Sequence, residues 1–251
     1  MATNILIQVA RFSMASTLRL LSGVRLVPLF LVCITAITLI AQPDLSITEE
    51  IEWTWEVRPP HPDPQLPNVL LLGDSMSRNY FPQVTKGLAG VANIYLMASS
   101  TSVGDPRLPH QIVEFATMEK VRFRVVHFNN GMHGWAYSET QYQEAFPQFL
   151  RAVRSVVEKD GALIWANTTP VRADAATGAT NARIDERNAI AEKIVKAAGI
   201  LIDDQHSLMA QHRDLYGDDV HFNPAGSIIQ GDQAASTIRS ALRAGLPTKN
   251  D

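Results

Sequence analysis

Asn68–Tyr80 reads NVLLLGDSMSRNY: four apolar residues, a glycine, an acid, a serine, then a polar run of helical character. The apolar run is short enough for a buried strand, and the glycine and acid punctuate its end. A strand that ends by presenting a hydroxyl has two readings. In the plainer one, Asp74 or Ser75 caps the helix that follows, because short oxygen-bearing side chains satisfy the free amides of a first turn. In the sharper one, Ser75 is a nucleophile at the carboxyl edge of a parallel sheet, where open α/β sheets bind their ligands.

Outward from this stretch the pattern repeats. Apolar runs at 69–73, 93–97, 123–129, 162–167 and 200–204 alternate with stretches of helical period at 76–89, 108–119, 139–159, 182–198 and 224–243. In one of these, Phe146, Phe149, Leu150, Val153 and Val156 fall on one helical face, with Pro147 among them as a kink or a late start. The alternation predicts an α/β domain, a three-layer α/β/α sandwich around a five-stranded, mainly parallel sheet with flavodoxin-like winding. It spans 68–246 and leaves a short tail at 247–251.

Ahead of the domain, residues 42–67 carry five prolines between Pro59 and Pro67 and read as an extended linker, with Trp53 and Trp55 tacking it to the domain. Residues 1–41 hold Arg11, Arg19 and Arg25 but no acid, and lead into the uncharged run Leu26–Ala41. That order predicts an export signal cleaved near Ala41, or an uncleaved membrane anchor through 26–41, with the remainder outside in both cases. Met14 offers an alternative start.

The one cysteine, Cys33, lies inside the apolar run, so the exported part has no thiol for a disulfide or a thiolate metal site. Without the three arginines of 1–41, 19 of the 22 basic residues face 25 acids, a net charge of −6. An acidic domain without a basic patch argues against a nucleic-acid partner.

Residues with chemistry gather at the strand ends: Asp74 and Ser75, then NNGMHGW after 123–129, NTTPVR after 162–167, and DDVHFNPAG before the last helix. A serine becomes a nucleophile when a base lies within hydrogen-bond reach and a third group holds the base's tautomer. Asp218 and His221, three residues apart in a tight loop, supply both: carboxylate to Nδ1, Nε2 toward Ser75. Taken alone, DDVH also reads as solvated acids beside a packing histidine, and GDS as a helix cap.

The ordered pairing of LLLGDSMS with DDVHFNPAG resembles the GDSL or SGNH hydrolase family. HFNNGMHGW (127–135) and NTTPVR (167–172) are similar to a bacterial branch whose third block has the form HFNxGLH. The resemblance covers about 53–243. It implies that Ser75 is the nucleophile, with His221 as base and Asp218 as its acidic partner. It further implies an oxyanion hole from the Ser75 amide, a glycine amide at Gly104, and an asparagine side chain. For the last, Asn129 and Asn130 both stand at the strand end, and alignment on Gly131 offers His133 instead. A neutral amide donates without needing protonation, which favours the asparagines; their other use is turn formation.

Asp219 is an alternative partner for His221, and Arg172 a candidate for anchoring an anionic group. Trp135 and Tyr137 either floor a sugar or acyl site or cover the sheet edge. His127 reads as a core histidine with a backbone partner, and His206 and His212 as exposed helix residues. No histidine–acid spacing indicates a metal, and no cofactor is implied. No second glycine follows Ser75, which argues against the G-x-S-x-G elbow of α/β-hydrolases. The expectation is an exported serine esterase for small acyl esters such as O-acetyl groups, on a small-molecule or carbohydrate substrate. An acyltransferase to a sugar hydroxyl uses the same residues, and a carbohydrate-binding or envelope protein could keep the fold without the reaction.

Overall fold

The computed structural model describes residues 46–175 and 178–244. The expected signal or anchor, Cys33 and the tail at 247–251 lie outside the described residues. Among the described residues six strands form one sheet: β1 (Thr54–Val57), β2 (Asn68–Gly73), β3 (Asn93–Ser99), β4 (Phe123–Phe128), β5 (Val157–Ala166) and β6 (Leu201–Asp203). Their order is β1-β3-β2-β4-β5-β6. Every pairing from β2 onward is parallel, and β1 lies antiparallel on the edge of β3. Counted from β2, the parallel strands run 2-1-3-4-5, the flavodoxin-like winding. Its switch point, where ligands bind, lies at the carboxyl end of the first of these strands. Ser75 immediately follows β2 and therefore stands at that point.

Six helices cover the sheet: α1 (Ser75–Gly87), α2 (Arg107–Glu119), α3 (Glu139–Ser155), α4 (Asn181–Ala197), α5 (Gln205–Ala210) and α6 (Pro224–Ala244). Side chains alternate across a strand, so β2 feeds two cores. Leu70 and Leu72 join Ile112, Phe146, Phe149 and Val195 in the layer of α2, α3 and α4. Val69 and Leu71 join Tyr80, Val84, Met209 and Ile238 in the layer of α1, α5 and α6. All four β2 residues are 0–1% exposed, the continuous apolar run expected of a parallel strand covered on both faces. Each buried leucine contributes about 1.5–3 kcal/mol relative to exposure.

The architecture differs from expectation in two places. The sheet has six strands rather than five, because part of the supposed linker, Thr54–Val57, pairs with β3. Trp53 is half-buried while Trp55 is 52% exposed, and the Arg78 guanidinium lies 5.4 and 5.2 Å from their ring centroids. The helix expected over 139–159 ends at Ser155, and β5 starts at Val157. Phe123 pairs with Val157 but Val125 with Ala162, so Glu158–Gly161 bulges outward between the two pairings. Pro147 sits inside α3 without ending it, and Ser138 starts that helix with a capping box to Gln141.

Candidate active site

Of the two residues that GDS offers as a cap, the structure uses Asp74. It is fully buried and is the N-cap of α1: its Oδ1 accepts the Met76 amide at 2.9 Å. The cap role thus falls to the acid and leaves the Ser75 hydroxyl, at the first helical position, free for another partner. That partner is His221, whose Nε2 stands 2.7 Å from Ser75 Oγ across 146 residues of sequence. The start of a helix also favours negative charge nearby.

The loop carrying His221 is held largely by its own residues. Tyr216 and Phe222 form an isolated bridge and stack with ring centroids 4.4 Å apart. The amides of Gly217 and Asp218 donate to the His221 carbonyl, and the Asn223 side chain accepts the Ala225 and Gly226 amides at the start of α6. Asp218 Oδ1 accepts the Val220 and His221 amides at 2.8 and 2.6 Å, and Oδ2 stands 2.9 Å from His221 Nδ1. Partial burial works against its charge, but the two amides and the imidazole outweigh it and hold the Asp218 carboxyl below its ordinary range. A carboxylate only accepts, so Nδ1 carries the proton and Nε2 turns a lone pair toward Ser75.

At the end of β4 the two asparagines part. Asn129 Nδ2 donates to the Ala166 carbonyl at 2.7 Å and to Thr168 Oγ1 at 3.3 Å, and its Oδ1 accepts the Gly131 amide at 3.1 Å. Its side chain is thereby engaged in holding β4 to β5. Asn130 is equally buried, yet the one bond its side chain donates among the described residues, to the Ser99 carbonyl, is long at 3.4 Å. One of its amide hydrogens is uncommitted. Gly131 has no room for a side chain, since a Cβ there would stand 1.7 Å from Thr168 Oγ1. One residue further, the Met132 amide donates to Asp74 Oδ2 at 3.2 Å, so the cap of α1 also ties down this loop.

Two arginines of α4, which nothing in the sequence marked, hold the same loop from behind. Arg187 donates to the carbonyls of His133, Gly134 and Tyr137, and Arg183 to those of Trp135 and Tyr137, all at 2.9–3.1 Å. The Arg187 guanidinium lies 4.2 Å from the Trp135 ring centroid. Trp135 and Tyr137 are consequently buried, at 8% and 4% exposure, and provide no exposed floor. Gly104 lies in the turn after β3 with the Tyr137 ring against it, 2.6 Å from where a Cβ would be. His133 is not free at the strand end: its Nδ1 is 3.0 Å from both oxygens of Glu49.

The remaining candidates fall elsewhere. Asp219 pairs with Arg172 at 2.8 Å, both about half exposed, and neither contacts His221. His127 is buried as expected, but its partner is a carboxylate, not the backbone: Nε2 stands 2.8 Å from Asp203, whose carboxyl also accepts from Gln205 and Gln233. His206 and His212 are half-buried rather than exposed, and His206 faces Asp185 at 3.2 Å. Among the described residues no group of three His, Cys, Asp or Glu side chains is arranged to hold a metal ion.

No family model and no curated protein matches the sequence. Solved structures do. A member of the lipolytic G-D-S-L family from Veillonella parvula superposes with a TM-score of 0.54 at 15% identity, over 67% of this chain and 96% of that one. The acetylxylan esterase Axe2 of Geobacillus stearothermophilus gives 0.54 at 15% identity, over 69% and 93%. The C-terminal catalytic domain of peptidoglycan O-acetyltransferase A from Streptococcus pneumoniae gives 0.54 at 18% identity, over 71% and 96%. The winding, the strand-end serine and these superpositions agree: the chain has the GDSL/SGNH hydrolase fold.

Proposed function

We propose that the protein is an exported serine esterase that removes small acyl groups, acetyl foremost, from a carbohydrate or other small alcohol. The observation that carries this reading is the unbroken line from Asp218 through His221 to Ser75, with contacts of 2.9 and 2.7 Å. His221 Nε2 takes the Ser75 proton as Oγ bonds to the ester carbonyl carbon. The resulting oxyanion is held by the amides of Ser75 and Gly104 and by the uncommitted Nδ2 hydrogen of Asn130. Collapse expels the alcohol, which takes its proton from Nε2, and water then releases the acyl group with His221 again as base.

Export rests on the basic, acid-free segment ahead of the apolar run 26–41. The acetyl preference is supported by the acetylxylan esterase and peptidoglycan O-acetyltransferase among the similar structures. The latter also supports a second reading, transfer of the acyl group to a sugar hydroxyl in place of water. Product analysis with and without a sugar acceptor separates them.

The test is hydrolysis of a short-chain chromogenic ester together with fluorophosphonate labelling of Ser75. Wild type should react in both, and Ser75→Ala, folded, should lose at least ~1,000-fold in rate and all labelling. Equal rates for the two proteins would refute the assignment.

A further inference from the structure

The segment ahead of β1 reaches into the same neighbourhood. Ser46 donates to Asp105, and the Ile47 amide donates to the Tyr137 hydroxyl at 2.6 Å. Glu49 then meets the loop after β4 at two points: its carboxylate lies 3.0 Å from His133 Nδ1 and accepts the Gly134 amide at 3.1 Å. The Trp53 ring packs edge-on against the His133 ring, with centroids 5.7 Å apart. Trp53 is itself fixed by Ser100: its amide donates to Ser100 Oγ at 2.9 Å and its carbonyl accepts the Ser100 amide at 3.0 Å. Glu49 is thus delivered by a segment anchored on both sides of it.

The electrostatics agree with the geometry. Burial opposes a charge on His133, but Glu49, with Asp74 and Glu52 close by, outweighs it and raises the imidazole's pKa. The same pairing overcomes the desolvation of Glu49 and lowers that carboxyl's pKa. The contact is a charge-assisted one between a half-buried acid and a side chain only 16% exposed.

Glu49's two partners, His133 and Gly134, lie three and four positions beyond Asn130, and in between Met132 is bonded to Asp74, next to Ser75. The α4 arginines hold this loop through its carbonyls and the Trp135 ring, and Glu49 supplies the complementary grip on an amide and an imidazole. We propose that Glu49 is a positioning residue of the esterase site: by gripping His133 and the Gly134 amide it fixes the loop that presents Asn130 to the oxyanion. The proposal rests on the esterase reading. It makes the segment ahead of the first strand a working part of the site.

Glu49→Ala and Glu49→Gln are compared with wild type, Asn130→Ala and the Glu49→Ala/Asn130→Ala double variant. Amide hydrogen exchange across 131–135 and steady-state ester hydrolysis are measured on the full chain. Glu49→Ala is expected to speed exchange in the loop about 10-fold and to lower kcat about 10-fold with KM within about twofold. Misplacing a group by an ångström can cost up to about 100-fold. Glu49→Gln, which keeps an acceptor, should fall between. In the Asn130→Ala background, Glu49→Ala should cost less than about twofold, since the effect runs through Asn130. An equal loss in both backgrounds, unchanged kcat, or unchanged exchange overturns the proposal alone. Faster exchange in a wild-type-like fold that hydrolyses no ester sinks the esterase reading, and the catalytic claim for Glu49 with it.

Discussion

Residues 129–137 and 216–223 flank the Asp74–Ser75 turn from two sides, and they are held in contrasting ways. The first is buried and gripped from outside: by Asp74 at the start of α1, by Arg183 and Arg187 of α4, and by Glu49 from ahead of β1. The second combines its own bonds with a hold from the segment after β5, where Tyr216 Oη donates to the Pro170 carbonyl and the Arg172 amide to the Asp219 carbonyl; the Asp218 side chain is 59% exposed and all its bonds are to residues within three positions. The contrast matches the chemistry each loop is assigned. A donor to an oxyanion works by being fixed before charge develops, whereas a base must rotate slightly between serine, leaving alcohol and water. Changes in the first loop should therefore spread, and changes in the second should stay local.

The largest effect is expected at Arg187. Arg187→Met leaves the buried His133 carbonyl without its donor, takes one of two donors from the Gly134 and Tyr137 carbonyls, and removes a buried charge paired with Glu139, and should cost about 3–5 kcal/mol in chemical denaturation. A loss below ~1 kcal/mol would mean the clamp is redundant. Next, Asn130→Ala should slow hydrolysis about 100- to 1,000-fold with little change in stability. Asn129→Ala should do the reverse, losing about 2 kcal/mol of stability because Ala166 and Gly131 lose their partner. If the two variants exchange these phenotypes, the oxyanion donor is Asn129.

In the exposed loop, Asp218→Asn should lower kcat about 100-fold by releasing the imidazole tautomer while leaving the fold intact. Its stability signature is set by the lowered pKa of Asp218. A carboxyl depressed in the folded state stabilises above its unfolded value, near 3.9, and loses that contribution as pH falls through the folded value. Melting curves of wild type and Asp218→Asn should thus differ at pH 6 and converge at strongly acid pH. The smallest effect belongs to Asp219→Ala. Its exposed pair with Arg172 should be worth under ~0.5 kcal/mol, and the rate should not change. A rate loss there would make Asp219, not Asp218, the partner of His221.

What could be read from the sequence was whatever chemistry or periodicity confined to one short stretch. GDS and DDVH each encode a local turn, and the alternating apolar runs place those turns at one end of a sheet. Long-range polar pairs left no such trace. Glu49 and His133 are 84 positions apart, His127 and Asp203 are 76 apart, and a lone glutamate or arginine looks solvated until its partner is known. The strand Thr54–Val57 escaped because four residues, mostly exposed, carry no apolar period. At VVEK the helical spacing simply continues past Ser155, and only pairing with Phe123 turns it into strand. Asn129 and Asn130 could not be told apart because adjacent side chains on a strand point oppositely, and which faced β5 depended on register.

The direction of β1 has a practical side. Because it runs against its neighbour, Thr54 pairs with Ser99, at the end of β3 that faces the serine. A strand laid the other way would have brought the preceding chain in at the opposite pole. Affinity tags or carrier proteins fused close upstream of Ser46 would therefore crowd the end of the sheet where Ser75 and His221 meet, whereas a fusion tested for innocence belongs after α6.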